Sequence, residues 1–222
     1  MSIPEAICLV GCGQVYDTIA AEPDAYACGA QWSLRPVEGV AALAGSARAL
    51  LEDLDAAATR LFVAVDAQAL NFARLELYGV ARMAGLRMAT LVHPTAWVSP
   101  GSQLADNVWV GPGVRVAAGC RVDSDVMLMQ GVRLDHGVHI GAHGWVGPGA
   151  ALGTGVKVGT HSCIGADVQL RAGITVGRHC CIDHPGPLRH DLSDGCFLET
   201  EMSSMARIVG AGYSFQKMRG RH

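Results

Sequence analysis

Residues 126–152 read VMLMQGVRLDHGVHIGAHGWVGPGAAL, and an aliphatic side chain returns at every sixth position: Leu128, Leu134, Ile140, Val146, Leu152. The register runs on in both directions. From Val98 to Ile182, fifteen successive positions spaced by six are Val, Leu or Ile. The residue two places before each is mostly small or apolar, as at Cys120, Val126, Val132 and Val138, and Gly follows the aliphatic residue at seven of the fifteen. A period of six fits neither an amphipathic helix nor a simple two-faced strand. It fits a solenoid whose short strands point side chains inward and then turn a corner. Three hexads close a triangular coil of 18 residues, so about five coils span residues 96–184. Coils stack at the strand spacing of roughly 4.8 Å, which sets residue i over residue i+18. No insertion breaks the frame, so the sequence predicts a smooth prism.

Composition agrees. The 222 residues are 50% hydrophobic and 17% charged with a net charge of −3, which excludes a disordered chain and leaves no basic footprint for nucleic acid. No apolar run approaches the ~20 residues of a membrane span. Gly is abundant at 28 while Pro is only 9, which excludes collagen-like and low-complexity chains. Sixteen of the glycines fall between Val98 and Ile182, where corners must turn. Met1–Val10 carries Glu5 and no basic residue, so it does not read as a signal peptide. The eight cysteines form no C-x-x-C pair and read as reduced thiols, which places the protein in the cytoplasm.

Residues 1–93 read as a small α/β, Rossmann-like domain. Strands are predicted at Ala6–Val10, Leu61–Val65 and Met88–Val92, with helices from Gln14, from Ser46 (as N-cap) to about Leu54, and over Ala69–Ala84. The first strand-to-helix turn, Gly11-Cys12-Gly13-Gln14, could bring a phosphate to a helix N-terminus; equally, its glycines could merely permit a tight turn. Residues 94–184 are the β-helix, and 185–222 form a tail opened by His184-Pro185-Gly186-Pro187. The stretch from Glu201 to Val209 could cap the solenoid as a short helix or strand.

The hexads resemble the hexapeptide-repeat left-handed β-helix. The small α/β domain, His93-Pro94-Thr95-Ala96 and the β-helix together resemble the bacterial nucleotide-sugar acetyltransferases, of the sialic-acid O-acetyltransferase and bacillosamine N-acetyltransferase type. That resemblance implies an acetyl-CoA-dependent N- or O-acyltransferase, a homotrimer with active sites between prisms, and an amino sugar, free or nucleotide-linked, as acceptor. It assigns His136, in Leu134-Asp135-His136-Gly137-Val138-His139-Ile140-Gly141, as general base. It places the oxyanion donor near Gly153-Thr154 and sets Trp145 where the family can carry a second histidine. Acceptor binding falls to Gly11, Cys12, Gly13 and Gln14. In register, Ala118 and Thr154 flank His136 one coil below and above, which leaves an open slot beside the imidazole. The chemistry needs a base working near neutral pH and backbone donors for the oxyanion.

Several positions depart from the family. Gly137 replaces the acid that orients the ring; Ser33-Leu34-Arg35 replaces an acidic pair; Asp66-Ala67-Gln68 with a displaced Arg74 replaces a further motif. No Pro-Ala-Arg-like strand is found in the tail, where Lys217, Arg219 and Arg221 either meet coenzyme A phosphates or are solvated. The period also stacks Asn107, Asp125, His143, His161 and His179 in one column, read as an imidazole ladder, a divalent-metal site or a groove lining. Trp145, Cys163 and Cys181 form the next column, read as packing. No tightly bound cofactor, nucleic acid or membrane partner is expected. The competing readings are an acyltransferase for a non-sugar amine or hydroxyl metabolite, a non-catalytic scaffold, and a zinc carbonic anhydrase on the same β-helix.

Overall fold

The computed structural model describes residues 6–27, 29–43, 47–67, 71–200 and 206–207. A four-stranded parallel sheet comes first, in the order β2-β1-β3-β4, with β1 at Ala6–Cys12, β2 at Gln31–Pro36, β3 at Thr59–Val65 and β4 at Arg87–Met88. Helices α1 (Gln14–Ala21), α2 (Pro23–Tyr26), α3 (Val40–Leu43) and α4 (Phe72–Met83) join the strands. The central strands are apolar runs buried on both faces, as in Leu61–Val65, because α4 covers one side while α1 and the prism cover the other. Among the described residues no helix is long and apolar enough to cross a membrane.

A left-handed parallel β-helix follows. Its rungs are mostly two residues long and pair i with i+18 throughout the repeat, as in Gln103, Arg121, His139, Lys157 and Thr175. The first face stacks Leu91–Val92, Trp109–Val110, Met127–Leu128, Trp145–Val146, Cys163–Ile164 and Cys181–Asp183. The second runs from Trp97–Val98 to Gly186–Leu188, and the third from Gln103–Leu104 to Thr175–Val176. The hexad residues fill the interior, with Val110, Val116, Leu128, Ile140 and Val146 all buried.

Three local readings need correction. The strand expected over Met88–Val92 is two elements: Arg87–Met88 closes the first sheet, and Leu91–Val92 is already a rung. Residues 47–53 form successive turns instead of a helix, with Leu51 N–H donating to Arg48 O and Leu54 N–H to Leu51 O, while Ser46 lies outside the described residues. The last helix starts at Phe72, and Gln68 and Ala69 are also outside them. At the far end Cys196–Glu199 extends the first face and pairs antiparallel with Ala206–Arg207, covering that edge. That strand carries two letters of the Pro-Ala-Arg pattern, with Met205 in the proline position. Lys217, Arg219 and Arg221 lie outside the described residues.

Candidate active site

Each corner of the prism places one residue per coil in the left-handed region, and the three corners differ in chemistry. Between the second and third faces the column is Gly119, Gly137, Gly155 and Gly173, at φ 69–79°. Between the first and second it is Gly113, Gly131, Gly149 and Asp167. Between the third and first it is Asn107, Asp125, His143, His161 and His179, with no glycine at all, at φ 52–59°.

His136 stands on the all-glycine corner. Its imidazole is exposed and lies over Gly119 one coil below, where an added Cβ would be 3.3 Å from the ring's Cε1. Gly137, at φ 69°, takes the left-handed position that Asp125 and Asp167 fill on the other two corners, so its backbone alone does not exclude an acid. Among the described residues no side chain hydrogen-bonds this ring. A groove of about 520 Å³ climbs the second face beside it, lined by Arg133, Asp135, Ala151, Gly153, Gln169 and Arg171 among others. Gly153 thus lies in the groove, while Thr154 is exposed in the His136 column one coil above. Ala151, between Arg133 below and Gln169 above, keeps the groove open. Small floor residues beneath two cationic walls suit a long, phosphate-bearing donor.

Trp145 is elsewhere. It sits on the first face, across the prism from the His136 corner, so one chain does not bring the two together. It borders a second groove of about 430 Å³ with Cys163, Cys181, Asp183, Phe197 and Ala67 of the amino-terminal domain. The Cys181 thiol is pushed up to about 11 by burial first and then by the neighbouring Cys163, so it is not a nucleophile near neutral pH.

Gly11, Cys12, Gly13 and Gln14 lie at the carboxyl end of β1, beside the carboxyl end of β3, where the strand order reverses. Ligands of open α/β sheets bind in this crevice. The N-terminus of α1 is already capped: Asp66 accepts hydrogen bonds from the backbone N–H of Gln14 (2.7 Å) and Val15 (3.1 Å). A Cβ on Gly13 would strike that carboxylate, and one on Gly11 would strike the Ala64 carbonyl, so both glycines answer to packing. At the end of β2, Arg35 makes a bidentate pair with Asp53 (2.7 and 2.8 Å).

The histidine column is a docking strip for the amino-terminal domain. Asp125, fully buried, accepts from Arg74 Nε (3.1 Å), Asn107 Nδ2 (2.7 Å) and His143 Nδ1 (2.8 Å). Asn107 also holds the Val63 backbone, its Oδ1 accepting from the N–H and its Nδ2 donating to the C=O. Phe72 stacks on His161 and His179. Among the described residues no group of three His, Cys, Asp or Glu side chains could hold a metal. Of the ladder, metal and groove readings, the ladder is what forms.

One constellation escaped the sequence reading. Asp123 accepts from Arg121 Nε (2.8 Å) and pairs with His139 Nε2 (2.9 Å) on the third face, one strand on from His136. Those two contacts hold the Asp123 carboxyl below its usual range against the opposing pull of partial burial, which is the largest single influence. Its signal was in the period, since 123 and 139 differ by 16, a diagonal between adjacent coils.

The family model for the GMPPB C-terminal domain matches residues 86–186. No curated protein matches the chain. Among solved structures, GDP-perosamine N-acetyl transferase from Caulobacter crescentus, a histidine-to-alanine variant with CoA and GDP-perosamine, is 26% identical. That match covers 88% of this chain and 93% of that one at a TM-score of 0.71. The acetyltransferase domain of PglB from Neisseria gonorrhoeae, in complex with acetyl coenzyme A, is 22% identical over 87% and 95% of the two chains at a TM-score of 0.72. In architecture the chain is similar to acetyltransferases of the hexapeptide-repeat class solved with coenzyme A or its acetyl form.

Proposed function

We propose that the protein is an acetyl-CoA-dependent N-acetyltransferase for a nucleotide-linked amino sugar, with His136 as general base. The observation that carries this is the second-face groove, which sets Gly153 and two arginines along one track and is lined by Asp135, the residue before the exposed His136. The 26%-identical relative, solved with CoA and GDP-perosamine, supports both substrates. In this reading the acyl donor runs along the groove with its thioester beside His136. The acceptor amine attacks the carbonyl carbon directly and His136 takes the proton from nitrogen. The C–S bond then breaks, and the leaving thiolate regains a proton from the imidazolium. Gly153 N–H is already given to Leu170 O and Gly155 N–H to His136 O, so the Thr154 N–H between them is the donor for the developing oxyanion.

The acceptor would lie in the crevice lined by Gly11, Cys12, Gly13 and Gln14 and reach the Trp145 groove past Ala67. That groove and His136 are on opposite sides of one prism. The active site therefore needs the His136 corner of one protomer against the first face of the next, as a homotrimer provides. The expected test result is thiol release from acetyl-CoA with a nucleotide amino sugar, and a loss of about 10²-fold or more in kcat for His136→Ala. No turnover with any amino sugar, together with no acetyl-CoA binding, overturns the assignment.

A second reading keeps the donor side and changes the acceptor to a non-nucleotide amine. Asp66 on the α1 N-terminus favours it, because an acceptor phosphate would have to displace a carboxylate there. Acetylation of free amino sugars at rates matching their nucleotide forms would select this reading.

A further inference from the structure

The column of Asn107, Asp125, His143, His161 and His179 answers a different need from catalysis. Asn and Asp tolerate the left-handed region better than most residues, but three successive histidines there are costly where the other corners use glycine. Their side chains explain the choice. The rings of His143, His161 and His179 stack at 4.7 and 5.1 Å between centroids, and Phe72, the first residue of α4, lies parallel to the last two at 4.8 and 6.0 Å. Immediately before it, fully buried Asn71 is itself left-handed, at φ 65°. Its Nδ2 donates to the His143 carbonyl (2.8 Å) and meets Cys163 Sγ (3.3 Å). Cys163 lines the Trp145 groove, and so does Ala67, on the same β3-to-α4 connection.

We infer that the Phe72–imidazole stack and Asn71 are positioning residues, holding the start of α4 beside the first-face groove that Ala67 and Cys163 line, and so setting affinity for the acceptor. The inference rests on the acceptor reading given above. It predicts a kinetic split, because the acyl-donor groove lies on another face and shares no residue with the stack.

The stack also predicts a pH dependence. The groups facing it are Asp125 and Tyr78 at His143, Arg74 and Cys163 at the adjoining network, and Arg178 and Asp194 at His179. Burial first and Arg178 second push the His179 imidazole below its usual range, against the pull of Asp194. A lowered value means that the docked state prefers the neutral ring. Its contribution is whole above the usual imidazole range and is lost as the pH falls through that range toward the lowered value.

The test uses the full chain with His179→Asn, which keeps a residue tolerant of the left-handed region, and Phe72→Leu. Acceptor and acetyl-CoA KM and kcat are measured from pH 8 to pH 5.5. The expected result is an acceptor KM about five-fold higher in each variant at neutral pH, with kcat and acetyl-CoA KM unchanged. In the wild type, acceptor KM climbs on acidification, and His179→Asn flattens that climb. Equal changes in both KM values, or a fall in kcat alone, overturn the inference. Hydrogen exchange of residues 72–83 supplies a readout independent of turnover. Faster exchange at acid pH in the wild type, and already at neutral pH in His179→Asn, supports the clamp even if no nucleotide amino sugar is acetylated. Unchanged exchange overturns the clamp and leaves the enzymatic assignment standing.

Discussion

At the scale of single residues, conformation decides what each corner can carry. A left-handed position costs an ordinary L-residue about 1–2 kcal/mol. The His136 corner avoids that cost with glycine, whereas Asp125 and Asp167 bear it on the other two corners. Gly119 gives a direct test. Gly119→Ala and Gly113→Ala both put a methyl at φ near +70°, but Gly113 opens on free space whereas Gly119 lies under the imidazole. Both should lose about 1 kcal/mol in chemical denaturation. Only Gly119→Ala should also lower kcat, by about ten-fold, because the ring must move. The place of His136 on a corner was legible in the sequence through its register, and its role as base is the proposal made above. The meaning of Asn107, Asp125 and the three histidines was not, since the period sets them in a column but is silent about which residues turn left-handed.

At the scale of elements, the domains are joined by a buried ion pair. Arg74 and Asp125 have side chains with no exposure, and the arginine also donates to the backbone carbonyls of Val65, Asp125 and Gly144. Breaking such a pair by removing one charge typically costs about 3–5 kcal/mol because the other charge stays buried. Asp125→Asn should approach that loss in a urea titration, and Arg74→Met with Asp125→Asn should cost less than the two single changes added together. The sequence set Arg74 in a displaced motif and Asp125 in the histidine column, but it did not pair them, since they lie 51 residues apart on a helix and a corner. The strand register of the β-helix was readable because every rung repeats one pattern. The split at Met88–Leu91 was not, because two short apolar strands separated by Ala89-Thr90 look like one.

At the scale of the whole molecule, the proposed reaction needs two grooves that the prism keeps apart. The His136 groove and the Trp145 groove lie on opposite sides, so activity should depend on assembly. His136→Ala and Trp145→Ala should each be nearly inactive alone. Co-folded as an equal mixture, they should regain about one quarter of wild-type activity, since random pairing leaves that share of interfaces with both native groups. Sedimentation should show the same trimer for each. No recovery in mixed trimers would place both groups in a single protomer's site.

The unbroken period has one more consequence. Every coil has the same length, so the solenoid works as a ruler graduated in steps of roughly 4.8 Å. Excising 18 residues, one whole coil, would keep every face, corner and column in phase and shift only the altitude of what lies above. Removing 17 or 19 would turn each inward aliphatic residue out to solvent. Evolution can thus retune the vertical offset between the docking strip and the His136 corner in whole graduations, without redesigning either.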